Sequence, residues 1–282
     1  MTLASFDLRE IACPLCAGWN HHLYAWAPTH DGPGQRRVTC CRSCGMIFTN
    51  PQPTNYVQQV AHRGVLARHL VPEFLERQRR TARFVLDLLQ PLAPGSRLLD
   101  FGCGEGVLVH EARRLGWNAI GLDLNQGLVD TANAYWGFAA LVPGSLDEFL
   151  RSRPDPFDVI VTSQVFEHLQ QPVEVGRQLV FLLKPGGLLY IDVPNVRQLG
   201  ERLARGRTLD PTAHWNHFSL ATLSTLVTRL GCTTVYASGA PSLIEYYHRA
   251  GLGPIAYPLG RLSKRLLPGI GTGVCVVGRV PS

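Results

Sequence analysis

The apolar positions of this chain switch between two periods. Short, nearly continuous apolar runs of strand length occur at 98–101, 118–122, 139–142, 156–164, 188–193, 233–237 and 274–280, most of them bounded by Gly or Pro. Such runs are the pattern of strands buried on both faces. Between them, apolar residues recur at helical spacing at 173–183 and 220–230, which predicts helices that cover the sheet. Ser219 stands where a helix N-cap belongs and Gly231 where a helix stops. Ahead of the first run, residues 72–90 place Phe74, Leu75, Phe84, Val85, Leu88 and Leu89 at helix-like positions, with Arg77, Arg79, Arg80 and Arg83 interleaved. That basic run reads as a solvated face, with contact to a substrate phosphate as the alternative. The repeated order strand, helix, strand argues for the α/β class and a doubly wound parallel sheet with helices on both faces.

The first strand leads into the most specific chemistry. Leu98-Leu99-Asp100-Phe101 runs into Gly102-Cys103-Gly104-Glu105-Gly106, a strand entering a glycine-spaced turn that opens a helix, and such a turn exposes backbone N–H groups to a ligand. The glycine spacing of two and two departs from the two and three of the dinucleotide fingerprint. The second strand ends at Asp123, an acid placed to accept hydrogen bonds from a ribose diol.

Asp100, the Gly102/Gly104/Gly106 turn and Asp123 together resemble the cofactor site of class I S-adenosylmethionine-dependent methyltransferases, over about residues 97–238. The resemblance implies a Rossmann-like, doubly wound seven-stranded sheet whose last strand is antiparallel. It also implies a cofactor-binding set of Asp100, Gly102, Gly104, Asp123, Leu124, Ser145, Leu146 and Gln164. S-adenosylmethionine has no pyrophosphate, so the turn needs no phosphate cradle and instead passes close to the amino-acid end. Asp100 and Glu105 would favour the ammonium and sulfonium charges, Asp123 the ribose, and Ser145-Leu146 the adenine. Phe157-Asp158-Val159-Ile160 resembles the family's fourth strand, and Leu183-Lys184-Pro185-Gly186-Gly187 is a second family-like phrase. Val165-Phe166-Glu167-His168-Leu169 resembles the segment that follows this strand in the ubiquinone-biosynthesis O-methyltransferase group. In some of those enzymes a Glu-x-x-Glu-His arrangement holds a divalent metal. Gln164 takes the first acidic position here, which leaves the set incomplete, and no catalytic metal is assigned.

Eight cysteines in 282 residues would suggest disulfides in a small secreted chain, but this one is long and its cysteines cluster. Cys13-Pro14-Leu15-Cys16 and Cys41-Arg42-Ser43-Cys44 form two CxxC knuckles separated by 24 residues. Such knuckles converge on a tetrahedral structural Zn²⁺ held by Cys13, Cys16, Cys41 and Cys44, with Cys40 the alternative ligand. A closed four-sulfur site leaves no open position and would contribute folding energy to a segment with little core. The phrase at 44–53 resembles the end of the N-terminal zinc ribbon in a subset of bacterial small-molecule and sugar methyltransferases. The expected organisation is a zinc-ribbon module at 1–55, a helical linker at 56–95, and a class I methyltransferase domain at 96–282 with a lid-like insertion at about 240–271.

Beyond the fifth strand, residues 198–205 read as a short helix and 206–216 as a loop leading to His214-Trp215-Asn216-His217-Phe218-Ser219. This block resembles the His-Phe-Ser segment of the zinc-ribbon methyltransferases. In the deoxysugar C-methyltransferases a Glu-His pair near here supplies the base, whereas this chain has Asn216-His217. His217, at the lip of the expected cleft, and His168, after the fourth strand, are the two candidates for a catalytic base. Tyr246 and Tyr247 are read as aromatic core, with the acceptor site as alternative, and residues 261–265 carry a basic amphipathic stretch.

Charge and length then narrow the function. A net charge of +6 from 27 basic and 21 acidic residues permits an anionic partner, yet the basic residues are scattered without an aromatic platform, which argues against nucleic acid. No run approaches the ~18 or more apolar residues of a spanning helix, and residues 1–9 lack a signal pattern, so a cytoplasmic protein without stable membrane insertion is expected, a homodimer being compatible. The resemblance implies methyl transfer from S-adenosylmethionine to a small-molecule acceptor in natural-product or sugar biosynthesis, O-methylation being preferred over C-methylation of a sugar. The rivals are a ribosomal RNA base methyltransferase with a zinc module and a catalytically silent binding protein of the same fold.

Overall fold

The computed structural model describes residues 8–29, 34–53, 71–197, 209–239 and 273–282. Expectations for 198–205, for Tyr246 and Tyr247, and for the stretches 240–271 and 261–265 lie outside the described residues.

The N-terminal segment is built from short antiparallel strands: β1 (Leu8–Arg9), β2 (His21–Pro28), β3 (Gln35–Cys41), β4 (Ile47–Thr49) and β5 (Gln52–Pro53). β1 pairs with β5, and β2, β3 and β4 lie side by side in a sheet of order β11-β4-β3-β2. Its first member, β11 (Asn216–His217), comes from far along the chain and pairs antiparallel with Phe48 and Ile47. The sheet of the ribbon therefore crosses the expected module boundary.

Helix α1 (Pro72–Leu89) follows, as its apolar spacing predicts, burying Leu75, Ala82, Val85, Leu86 and Leu89. Its arginines are partly spoken for: Arg83 donates to the buried Glu111 carboxylate at 2.9 Å and Arg79 stands 3.5 Å from it, while Arg114, on the same helix as Glu111, adds a third guanidinium at 3.6 Å.

The main sheet has seven strands, in the order β12-β13-β10-β9-β6-β7-β8. They are β6 (Arg97–Phe101), β7 (Asn118–Asp123), β8 (Leu141–Pro143), β9 (Phe157–Ser163), β10 (Leu183–Pro194), β12 (Thr233–Gly239) and β13 (Gly273–Arg279). β8, β7, β6, β9 and β10 run parallel, and β13 is antiparallel to both β10 and β12. The expected doubly wound sheet with an antiparallel last strand is the one observed. Helices α2 (Val107–Arg114), α3 (Gln126–Trp136), α4 (Leu146–Arg151), α5 (Pro172–Phe181) and α6 (Leu220–Arg229) alternate with the strands. Two large apolar clusters flank the sheet, one containing Leu99, Ile160, Leu189 and Ile191, the other Leu98, Val159, Val161 and Tyr190. Alternate residues of one strand feed opposite faces, as a sheet covered on both sides demands.

Three boundaries differ from the sequence reading. The third strand begins at Leu141, not 139, because the side chain of Asn133 closes the preceding turn, accepting from Leu141 N and donating to Leu141 O. Helix α5 stops at Phe181. The Lys184-Pro185-Gly186-Gly187 phrase is not a turn ahead of a strand but an irregularity within β10, where the register against β9 shifts between Leu183 and Leu188. Lys184 Nζ reaches Asp158 Oδ1 at 2.8 Å, while Asp158 Oδ2 accepts from Arg97 N at 2.9 Å. One carboxylate thus ties β9 to β6 and to the bulge.

Candidate functional site

The carboxyl ends of β6, β7, β9 and β10 converge, which is where ligands bind in open α/β sheets. Asp100 ends up there, buried near the end of β6. Burial, with the charges of Asp123 and Asp192 adding to it, lifts its carboxyl to about 8. The turn after it is fully left-handed at its glycines: Gly102, Gly104 and Gly106 have φ of 76°, 50° and 69°. A Cβ on Gly102 would meet Val165 Cγ2 at 2.5 Å and one on Gly106 would meet Leu141 Cδ1 at 2.6 Å, whereas Gly104 faces open space. Two glycines permit packing and the third leaves room for a ligand.

The expectation of a turn with exposed amides is corrected. Gly102 and Cys103 N–H groups donate to Leu122 O, Gly106 N to Cys103 O, and Gly104 N to Asp123 Oδ2 at 3.0 Å. A turn that consumes its own amides presents no anion cradle, consistent with a ligand that carries no phosphate at this point. Asp123 Oδ1 also accepts from Asn125 N at 2.9 Å, so both oxygens are oriented by backbone while each keeps further accepting capacity. Leu124, next in line, is exposed.

Ser145 is a helix cap: its hydroxyl accepts from Glu148 N, and its backbone N–H donates to Glu148 Oε2 at 2.8 Å, completing a capping box on α4. Leu146 is buried in the core. Gln164 sits at φ 57°, and its side-chain amide donates to Asp192 Oδ1 at 2.7 Å, beside Ser163 Oγ donating to Oδ2 at 2.7 Å. Asp192 is buried and its carboxyl is raised by that burial. It was not singled out from sequence; its place at the end of the fifth strand was the available signal.

The two candidate histidines have different surroundings. His168, in the 3₁₀ turn Phe166–His168, is partly exposed and donates Nδ1–H to Ala213 O at 2.7 Å. His217 is buried in β11, with Nε2 3.3 Å from Thr49 Oγ1. Burial lowers it to about 3, with the nearby His214 adding to the shift and Asp210 opposing it. The structure therefore puts His217 inside the ribbon contact, not at a lip.

Segment 209–217 is held from both sides. Asp210 Oδ1 accepts from Thr212 N, Thr212 Oγ1 and Ala213 N, shaping the turn. Trp215 N donates to Glu167 O at 2.7 Å, and Asn216 Nδ2 donates to Phe166 O and Leu169 O. On the ribbon side, Thr49 N donates to Trp215 O at 2.9 Å and Thr49 Oγ1 to His214 O at 3.1 Å. A Glu at 216 would have no side-chain N–H to offer those two carbonyls, so the amide is what this position requires.

The four knuckle cysteines come together. Cys13 and Cys44 sulfurs are 3.5 Å apart, as are Cys16 and Cys41, and all four lie within 4.8 Å of one another. Tetrahedral thiolates at Zn–S of about 2.3 Å are separated by about 3.8 Å, so the set fits zinc. Amides donate to the sulfurs, from Leu15 and Cys16 to Cys13, from Ser43 and Cys44 to Cys41, and from Met46 to Cys44. Cys40 points elsewhere, packing beside Ala27, Val38 and Ile47.

The sheet order and the acidic, glycine-lined carboxyl edge define a class I methyltransferase fold. A family described as a methyltransferase domain matches residues 74–237, and the chain belongs to it. Among curated relatives, the ubiquinone biosynthesis O-methyltransferase of Caulobacter vibrioides is 34% identical over 105 residues, 36% of this chain and 42% of that protein. That of Ralstonia nicotianae is 35% identical over 111 residues, 37% of this chain and 47% of that protein. The chain thus spans less than half the length of the curated relatives it matches. Among solved structures, a SAM dependent methyltransferase from Archaeoglobus fulgidus superposes with a TM-score of 0.50 at 22% identity, covering 74% of this chain and 100% of the other. Magnesium protoporphyrin IX methyltransferase from Synechocystis, with bound S-adenosylhomocysteine, gives 0.51 at 14% identity over 80% and 93%. These likenesses concern the fold. Among the described residues no helix is long and apolar enough to cross a membrane.

Proposed function

We propose that this chain transfers a methyl group from S-adenosylmethionine to a small-molecule acceptor, with oxygen the preferred acceptor atom. The observation that carries the reading is the pairing of the left-handed Gly102–Gly106 turn with Asp123, whose carboxylate is fixed by Gly104 N and Asn125 N. The fixed carboxylate then accepts from the two ribose hydroxyls, and Gly104, with nothing in front of it, lets the amino-acid end pass. S-adenosylmethionine supplies a methyl group already activated by its sulfonium. What is left to the protein is alignment, with the acceptor brought in opposite the leaving sulfur. Asp100, flanked by Asp123 and Asp192, gives up its proton to face a cation. The naming of the relatives supports oxygen as acceptor atom; sugar and other natural-product acceptors belong to the same small-molecule reading.

His217 serves as a positioning residue: a buried imidazole lowered to about 3 holds little affinity for a proton at neutral pH. Acceptor deprotonation centres on the more open His168. Cys13, Cys16, Cys41 and Cys44 hold a structural zinc, whose place is to brace the ribbon that carries Thr49.

Calorimetry with S-adenosylhomocysteine tests the reading. Binding to the full chain is expected, weakened by about tenfold or more in Asp123→Ala through loss of two charge-assisted hydrogen bonds. Absence of binding to the parent chain would overturn it.

A further inference from the structure

Gln164, the residue after β9, is not glycine and yet stands at φ 57°. A side chain in that region is strained, and such strain persists only where the surroundings over-determine it. Here the surroundings are one residue of the neighbouring strand. Gln164 N donates to Asp192 O at 3.0 Å, Gln164 Nε2 to Asp192 Oδ1 at 2.7 Å, and Ser163 Oγ to Asp192 Oδ2 at 2.7 Å. The buried end of β10 thus holds both the main chain and the side chain of Gln164. We propose that Asp192 is a positioning residue of the cofactor site: it locks Gln164 so that the amide oxygen Oε1 accepts a hydrogen bond from the ammonium group of S-adenosylmethionine. The proposal rests on the methyl-transfer reading given above.

The direction of the amide follows from its partner. A planar amide whose nitrogen faces a carboxylate turns its oxygen to the other side. Asp192 is buried and Gln164 is exposed, so Oε1 is the outward group. The reversed amide would set Oε1 against Asp192 Oδ1 and cost the carboxylate a donor. A glutamate of the same length would bring a second carboxylate against Asp192. Only the amide gives a donor to one side and an acceptor to the other.

The place fits the amino-acid end of the cofactor. A Cβ on Gly102 would meet Val165 Cγ2 at 2.5 Å, so the segment after β9 abuts the glycine turn. Gln164, next to Val165 in the chain, therefore flanks the turn along which that end passes. β6 and β9 are neighbours in the sheet, with Asp100 opposite Val161, and Asp192 is near enough for its charge to oppose ionisation of Asp100.

An ammonium group has only donors to offer and needs acceptors around it. The amides of the turn are donors, and they are spent on Leu122 O, Cys103 O and the Asp123 carboxylate. Asp100 supplies an acceptor from the β6 side, and Gln164 Oε1 supplies one from the β9 side. Both oxygens of Asp192 are taken up by Gln164 and Ser163. It acts through Gln164 and not on the cofactor itself.

Calorimetry on the full chain with two ligands tests this. S-adenosylhomocysteine carries the ammonium group, whereas methylthioadenosine keeps the nucleoside and the sulfur and lacks the amino-acid end. Gln164→Ala and Asp192→Ala should each weaken S-adenosylhomocysteine by about tenfold, the loss of one hydrogen bond to a charged group, and leave methylthioadenosine within about twofold. The double variant should be no weaker than either single one, because both remove the same contact. Asp192→Asn keeps an oxygen for Gln164 Nε2 and should retain the parent affinity within about threefold. Should Asp192→Ala fail to fold, Asp192→Val, β-branched and suited to a strand, takes its place. Equal losses for both ligands, or single losses that add in the double variant, would reveal a structural role alone and overturn the proposal. Unchanged S-adenosylhomocysteine affinity in Gln164→Ala, or an Asp192→Asn as weak as Asp192→Ala, overturns it as well. Absence of S-adenosylhomocysteine binding by the parent chain strikes the methyl-transfer reading itself, and this inference with it.

Discussion

Asp100 is a carboxyl held neutral up to about pH 8 by burial, with Asp123 and Asp192 opposing its ionisation. In the unfolded chain it ionises near pH 4. Between those values the unfolded state is charged while the folded state is not, so this group subtracts more stability with each step upward in pH, and nothing below pH 4. A cationic cofactor reverses the balance by favouring the ionised form. Affinity for S-adenosylmethionine should therefore rise between pH 6 and 8, by at most about tenfold per unit, with one proton released on binding. Calorimetry in buffers of differing ionisation enthalpy measures that proton, and Asp100→Asn should abolish both the release and the extra pH dependence. A release that is the same in the variant would remove Asp100 from the site. Asp100 and Asp123 were legible in the sequence because each ends an apolar run. Asn216 and His214 could not be placed that way: the carbonyls that Asn216 serves are 50 and 47 residues away, and the edge-to-face contact of His214 with His168 exists only after folding.

Among the elements, the turn from β6 into α2 shows how one motif serves two ends. Gly106 caps α2 in a left-handed conformation with Leu141 directly in front of it, and Gly102 has Val165 in front of it. A methyl group at either position must displace a packed side chain, and it also meets the left-handed penalty. Together these cost about 2–4 kcal/mol. Gly104 shares the left-handed backbone but has open space before it, so Gly104→Ala should cost only about 1 kcal/mol. Urea unfolding of the cofactor-free chain should rank Gly102→Ala and Gly106→Ala well below Gly104→Ala in stability. S-adenosylhomocysteine affinity should fall in Gly104→Ala beyond what its stability predicts. Equal stability losses at the three positions would mean that the turn's packing is not as described. The spacing announced this turn, since only glycine takes such angles freely. It did not announce that the amides are used internally, because their acceptors, Leu122 O and the Asp123 carboxylate, belong to the next strand. The Lys184 phrase misled for the complementary reason: Pro and two Gly read as a chain stop, whereas the strand absorbs them as a register shift anchored by Asp158.

At the scale of the molecule, the sequence reads as a ribbon followed by a catalytic sheet, and composition alone offers no link between them. The link is β11, two residues long, which belongs to the ribbon's sheet although it lies beyond the fifth strand of the main one. Through Thr49 and Phe166 the same segment touches both bodies, and it carries His214 and His217. Zinc at the four cysteines would then do more than fold the ribbon, since it would hold the template on which 209–217 is laid. Hydrogen exchange on the full chain, with zinc and after chelation, separates this from a ribbon that is merely attached. Loss of zinc should remove protection from β3, β4 and the amide of His217, which pairs with β4, because a knuckle without its ion has little core to replace it. The central strands β6, β9 and β10 have their own apolar clusters on both faces and should keep their protection. S-adenosylhomocysteine should still bind, as the glycine turn follows β6 and Asp123 ends the neighbouring β7. If 209–217 stays protected when the zinc is gone, the main domain holds that segment by itself, and the ribbon's contact through Thr49 is a consequence of its position and not the cause.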